Sequence, residues 1–319
     1  MNIEKVYGVK HKDETVRALS RSGGIFTALT DIILDKNGTV YGCALNADML
    51  AEHRRAVTKE ERDSFRGSKY IQSNINDCYA LCLKDLRTGI PVLFSGTPCQ
   101  IEGLKNYLNI KGADSEKLIT VDILCHGVPS PMVWKDFLEE KFSDKSIDAV
   151  DFRDKKNFGW RNHIETVTAD GKEESSRVFT DLFYSHLILR PSCFECNYKR
   201  RDRVSDITIG DYWRIENNDK LFDDDKGVSL VKINSEKGKM LFSECKESLI
   251  IKEFPLATSI QPALRCNYSS PVNREEFWKE YSTDTVENLM KKYTSSPPPT
   301  VKQRINTLVY AVMHKMKLI

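Results

Sequence analysis

Residues 91–124 read PVLFSGTPCQIEGLKNYLNIKGADSEKLITVDIL, and their reading decides the fold. A short apolar run at 91–95 meets Thr97 and Pro98, apolar residues then recur at helical spacing to Leu108, and a second apolar run spans 118–124. Thr97 offers an N-cap oxygen, and Pro98 fits the first helical turn, where a missing N–H costs nothing. Buried runs of strand length on either side of a helix are the pattern of a sheet covered by helices.

Working outward, residues 25–34 carry helical periodicity, with Ser22 as N-cap and Gly38 just past the end. Residues 39–45 read as a strand, the charged run 52–66 as a solvated helix or loop, and 76–86 as a helix. Downstream, 132–142 reads as a helix, while 149–153 and 164–169 alternate as strands and predict an antiparallel excursion. A helix over 181–189, a strand over 207–210, and a strand over 229–233 leading into a helix near Ser235 complete the pattern. The expected fold class is mixed α/β (α+β): a helix-covered mixed sheet with an antiparallel excursion and a C-terminal helical appendage. Past Cys266 the chain turns polar, crosses the breaker run Ser295-Ser296-Pro297-Pro298-Pro299 and ends in a basic amphipathic helix over 304–319. That helix suits either peripheral docking on a membrane surface or partner, or a place on the protein's own surface.

A chain of 319 residues, 40% of them hydrophobic, can bury a substantial core, and a net charge of +2 gives no global field to recruit nucleic acid or an anionic membrane. No transmembrane segment of about 18 apolar residues occurs and the start lacks a signal-peptide layout, so a cytoplasmic location is expected. Nine cysteines, an odd number, then argue for reduced thiols rather than a disulfide framework. Cys43, Cys78, Cys82 and Cys245 fit ordinary buried positions in helix or strand patterns.

The other cysteines invite chemistry. In Cys193-Phe194-Glu195-Cys196 a two-residue gap turns both sulfurs toward one centre, which suits a redox disulfide, half a zinc site or half an iron-sulfur site. Basic residues follow, Lys199 and Arg200 among them, and offset thiolate charge. Cys99 falls in the first turn of a helix, where the dipole favours a thiolate, and Cys125 leaves a strand for the loop His126-Gly127-Val128-Pro129. Four thiolates complete a tetrahedral shell for zinc or a 4Fe-4S cluster, His126 is an alternative ligand in place of Cys99, and buried structural cysteines remain the plain reading. A second constellation suits a phosphate-bearing cofactor. Ser20-Arg21-Ser22-Gly23-Gly24 opens a helix with exposed backbone N–H groups, and Gly67-Ser68-Lys69-Tyr70-Ile71-Gln72-Ser73 adds a cation, an aromatic face and an amide. A plain helix start and an exposed polar turn account for the same residues.

Together with Gly96-Thr97-Pro98-Cys99-Gln100, Cys125-His126-Gly127 and Asp206-Ile207-Thr208-Ile209-Gly210-Asp211-Tyr212-Trp213, these motifs resemble, in order, the coenzyme F-420 hydrogenase/dehydrogenase beta subunit family, which is related to 7-hydroxymethyl chlorophyll a reductase. The resemblance runs from about Tyr7 to about Pro255. It implies FAD and a 4Fe-4S cluster, with Cys99, Cys125, Cys193 and Cys196 as cluster ligands and Ser22, Gly23, Gly24, Lys69, Gln72, Ser73, Thr97 and Gln100 lining the flavin site. Asp211 and Trp213 are expected to support the cluster region, or Trp213 to serve the core. It divides the chain into a flavin-site segment (7–85), a cluster and flavin domain (86–260) and a helical tail (261–319). The CxxCxxCxxxC ferredoxin-like module of many relatives is not found, so a separate ferredoxin or other electron carrier is the expected partner. The expected activity is an oxidoreductase passing electrons between that carrier, the cluster and FAD to an organic substrate or deazaflavin. The alternatives are a non-redox binding or transferase-like protein with a zinc or empty cysteine site, and a thiol-disulfide enzyme using Cys193 and Cys196.

Overall fold

Buried parallel strands need an apolar side chain on each face, and the chain supplies them by strict alternation. The computed structural model describes residues 5–294; the basic helix expected at 304–319 lies outside the described residues. The strands are β1 (Lys5–His11), β2 (Thr39–Leu45), β3 (Ala51–Ala56), β4 (Val92–Gly96), β5 (Leu118–Ile123), β6 (Ile147–Asp151), β7 (Glu165–Ala169), β8 (Lys172–Ser176), β9 (Ile207–Asp211), β10 (Ser229–Ile233) and β11 (Leu249–Pro255). The helices are α1 (Glu14–Leu19), α2 (Ile25–Asp35), α3 (Lys59–Asp63), α4 (Cys78–Arg87), α5 (Pro98–Ile110), α6 (Pro131–Phe142), α7 (Lys155–Phe158), α8 (Val178–Tyr184), α9 (Glu236–Glu244), α10 (Arg274–Glu280) and α11 (Val286–Thr294).

An eight-stranded mixed sheet runs in the order β11-β1-β10-β9-β5-β4-β2-β3. Its centre, β9-β5-β4-β2, is parallel, and antiparallel strands flank it on both sides. Val40, Leu93 and Val121 point to the face covered by α2 and α9, whereas Tyr41, Val92, Phe94 and Leu118 point to the face covered by α4 and α5. This alternation is the period of a pleated strand buried on both sides. Strands from residues 5–56 and from 92–255 interleave in the sheet, so the segments 7–85 and 86–260 share one core.

The antiparallel excursion forms a separate sheet, β6-β7-β8. With α6, α8, α10 and α11 it builds a second core around Trp134, Phe152, Phe179, Phe277 and Leu289. The Trp134 indole donates to the Met49 carbonyl at 2.9 Å and ties this lobe to the main sheet. The appendage expected after residue 261 is therefore helical as far as it is described, with Phe277 and Leu289 fully buried.

Several expected boundaries are corrected. Ser22 does not cap α2: its hydroxyl donates to the Val228 carbonyl at 2.7 Å, and Gly24, at φ +92°, starts the helix. Residues 51–56 are an edge strand rather than a solvated helix or loop, because His53 turns inward while Arg54 and Arg55 face out; only 59–63 is helical. The helix expected over 181–189 is Val178–Tyr184, ended by His186 in the left-handed region at φ +67°. That turn frees 188–190 to pair with 128–130 through Ser130 N–H to Ile188 O (3.1 Å) and Arg190 N–H to Val128 O (2.9 Å).

Candidate functional site

In an open α/β sheet, loops leaving the carboxyl ends of parallel strands gather at one edge. Here β4 delivers Thr97–Gln100, β5 delivers Leu124–Pro129 and β9 delivers Asp211–Trp213 to that edge. Between them lies a cavity of about 440 Å³, a volume suited to a small organic molecule.

One wall is a chain of hydrogen bonds. The Gln100 side-chain carbonyl accepts the Thr97 N–H (2.9 Å), and its amide donates to Ser73 Oγ (2.9 Å). Ser73 Oγ lies 2.9 Å from His53 Nδ1, and His53 Nε2 lies 3.0 Å from the Ser95 carbonyl. A carbonyl only accepts, so Nε2 carries the proton and Nδ1 accepts from Ser73. Burial pushes His53 down to about 4, consistent with that neutral ring. Sequence position separates these residues; α5's first turn brings them together.

The opposite wall is the turn into α2. Gly23 donates to Ser229 Oγ (2.9 Å) and accepts from the His11 N–H (2.7 Å). A Cβ there would stand 2.0 Å from the Val9 carbonyl oxygen. The Lys155 ammonium donates to the carbonyls of Arg17 (2.8 Å), Ser20 (3.1 Å) and Ser22 (3.3 Å), fixing the turn from outside.

Of the residues named from the sequence, Ser22, Gly24, Lys69, Ser73, Thr97 and Gln100 line the cavity. Gly23 is packed into the sheet instead, and Gln72 is not on the wall. The Lys69 ammonium is drawn down to about 8 by burial and donates to the carbonyls of Ser64 (3.1 Å), Arg66 (2.7 Å) and Gly67 (3.4 Å), organising its own loop. Tyr70 stacks on Phe183, with ring centroids 4.8 Å apart. Cys43, expected as a simple buried hydrophobe, is half-buried on the cavity wall, whereas Cys78, Cys82 and Cys245 are buried.

Sequence reading missed a second group. Arg153 donates to Asp211 (2.6 Å) and to the Trp160 carbonyl (2.7 Å), and lies 4.8 Å over the Trp213 ring. The Trp160 indole donates to Asp211 at 2.8 Å and stacks on Trp213, 5.2 Å between centroids. Burial alone would raise the Asp211 carboxyl, but the Arg153 guanidinium and the indole hold it below the ordinary range. Asp211 and Trp213 thus belong to the cavity wall. Arg21, ion-paired with Asp151, and His163, hydrogen-bonded to the Tyr184 hydroxyl, stand on the same wall. Arg21 sat inside a quoted motif; the others carried no local signal.

The four cysteines converge beside this cavity. Gly127, at φ +141°, brings the β5 loop against Cys193: a Cβ on it would lie 3.6 Å from the Cys193 Cβ. Cys125 lines the cavity and is pushed up to about 12 by burial and by the neighbouring Cys99 and Cys193. Cys193 is raised by burial and, in part, by Cys196 and Cys99. Burial lowers Lys199, while the thiols of Cys125, Cys196, Cys193 and Cys266 act to raise it; its ammonium donates to the His126 carbonyl at 3.0 Å. Among the described residues, no three His, Cys, Asp or Glu side chains stand at metal-binding separation as placed. The donor set nevertheless fits a thiolate-bound centre: four thiols from three segments, held near one ammonium, with burial favouring the protonated form until a cation displaces the proton. His126 is turned away, its Nε2 2.8 Å from His186 Nε2 and its ring 4.3 Å from Tyr268.

A helix-covered sheet with a cavity at its carboxyl edge and thiols gathered beside it defines a cofactor-dependent α/β redox class. Residues 91–258 match the family described as the C terminus of the coenzyme F420 hydrogenase/dehydrogenase beta subunit, and the chain belongs to that family. Membership places it among oxidoreductase subunits with an electron-transfer role. A chain of the F420-reducing [NiFe] hydrogenase complex from Methanosarcina barkeri shares the fold, with a TM-score of 0.53 and 17% identity over 91% of this chain and 90% of that one. No curated protein matches. No helix among the described residues is long and apolar enough to cross a membrane.

Proposed function

We propose that this chain is a cytoplasmic iron-sulfur flavoprotein oxidoreductase, in which Cys99, Cys125, Cys193 and Cys196 hold a 4Fe-4S cluster and the adjoining cavity holds FAD. One observation carries the reading: Cys125 is at once a wall of the cavity and a member of the thiol group. When bound, the two groups supply single-electron exchange on one side and two-electron exchange on the other, to an organic substrate or deazaflavin.

The residues present each have a task. Ser22, Gly24, Ser73, Thr97 and Gln100 present hydrogen-bonding groups to the cavity, Gly23 and Gln72 support the turns that carry them, and Lys69 holds the 64–69 loop in shape. The neutral His53 fixes the Ser73 hydroxyl, leaving the wall without a mobile proton. Lys199 offsets thiolate charge from within, and exposed Arg200 adds to it at the surface. Cys99 is exposed, which supports docking of a ferredoxin or similar carrier on that face. The flavin-site segment (7–85) and the cluster domain (86–260) act as one unit, with 261–319 as the helical tail.

Anaerobically purified protein is expected to contain iron, acid-labile sulfide and flavin, and Cys193→Ser to lose the cluster absorbance and melt earlier. Colourless protein after reconstitution, or about one zinc and no iron, would replace this reading with a non-redox one. A full cluster signal in Cys193→Ser would remove that residue from the ligand set.

A further inference from the structure

Guanidinium groups are rarely left with buried donors unmet, because each loses its water without regaining an acceptor. Two such groups face the cavity. Arg153 is buried with its side chain 1% exposed, and its Nε has no partner. Arg21, with 14% of its side chain exposed, has neither Nε nor Nη1 satisfied. The two are neighbours: Asp151 accepts from Arg21 Nη2 and from the Arg153 backbone N–H (2.9 Å). Asp151 and Asp211 meet only part of this positive charge, and Arg66 stands on the same wall.

The turn that carries Arg21 has no freedom to look elsewhere for acceptors. Lys155 fixes it from behind and Gly23 is locked into the sheet, while Gly24 opens the eleven-residue α2 with backbone N–H groups at the cavity edge. A helix start of this length also favours an anion.

We infer that Arg21 and Arg153, with the start of α2, form a subsite for a phosphoryl group. The pattern of free donors selects phosphoryl over carboxylate. Both parallel donor pairs of a guanidinium include Nη2, and that of Arg21 is already on Asp151, so a planar carboxylate has no matching fork there. A tetrahedral group spreads its oxygens in several directions and meets divergent donors. The subsite rests on the cavity assigned above, but not on redox chemistry. Its phosphate comes either from the cofactor's own diphosphate or from a phosphorylated organic ligand.

Isothermal titration calorimetry of the full chain with inorganic pyrophosphate, FAD and riboflavin separates these cases. The wild type is expected to bind pyrophosphate saturably, and Arg21→Gln to weaken it roughly 10- to 100-fold, the range of a lost charge-assisted bond. Asp151→Asn, which keeps the Arg21 guanidinium, is expected to retain pyrophosphate binding and so controls for a collapsed turn. If FAD affinity falls with that of pyrophosphate while riboflavin affinity holds, the phosphate is the cofactor's. If FAD affinity holds while pyrophosphate affinity falls, it belongs to a second, phosphorylated ligand. Equal pyrophosphate binding by wild type and Arg21→Gln, no binding by wild type, or equal loss in Asp151→Asn would overturn the subsite. Flavin- and iron-loaded protein indifferent to Arg21→Gln would leave the redox reading standing, and pyrophosphate binding by a flavin-free, iron-free chain would leave only the subsite.

Discussion

A histidine ring enclosed between Ser73 and Ser95 has no water to stabilise a charge, so its titration becomes a property of folding. His53 is held near 4 in the folded chain, against about 6.5 when unfolded. Between those values the unfolded chain takes up a proton that the folded one refuses. Stability is therefore full above about pH 6.5 and declines as pH falls toward 4, by on the order of 3 kcal/mol. His163, pushed down to about 4 by burial and by Arg153, adds to the same slope. Urea midpoints measured between pH 7 and 4.5 are expected to drop, and His53→Gln to remove about half of that drop. An unchanged slope in the variant would mean that His53 charges freely. Thr97 and Cys99 were legible in the sequence because a cap and a first helical turn are local events. Arg153 was not, because what defines it is an acid 58 positions away and burial by two indoles.

Elements differ in how much of themselves they declare. The parallel strands β2, β4 and β5 and the helices between them could be read from the sequence, since burial on both faces leaves unbroken apolar runs with cap residues at their ends. β1 and β11 were missed. Each carries lysines among its apolar residues, Lys5 and Lys10 in one and Lys252 in the other, and their pairing is with each other across more than two hundred positions. β3 hid for a related reason, as an edge strand turns its charged side chains to water. The turn into α2 offers a direct test of packing at this scale. In Gly23→Ala the new methyl would collide with backbone atoms of β1 and β10, which cannot swing aside, so the expected cost exceeds about 3 kcal/mol. Gly112→Ala, at φ +58° with open space around it, is expected to cost about 1 kcal/mol. Thermal melts showing comparable stability for the two variants would mean that the sheet yields at Gly23.

At the scale of the whole molecule, β1, β2 and β3 come from the first 56 residues, and their partners β10, β11 and β4 from the remainder. A fragment comprising residues 91–319 would leave β4 and β10 as raw edges and strip α2 from one face of the sheet. Circular dichroism of that fragment alone is expected to show no cooperative melt, and co-expression with residues 1–90 to restore one. Cooperative melting of the fragment by itself would show that the interleaving is dispensable. The excursion β6-β7-β8 stands apart from this constraint. It is inserted between β5 and β9, shares no ladder with the main sheet, and yet its first strand ends at Asp151, next to Arg153. Loop insertions or deletions at the far end of that hairpin would leave every pairing of the larger sheet intact. The framework can therefore stay constant while lineages reshape one jaw of the cavity, which makes this hairpin the natural place for ligand preference to diverge.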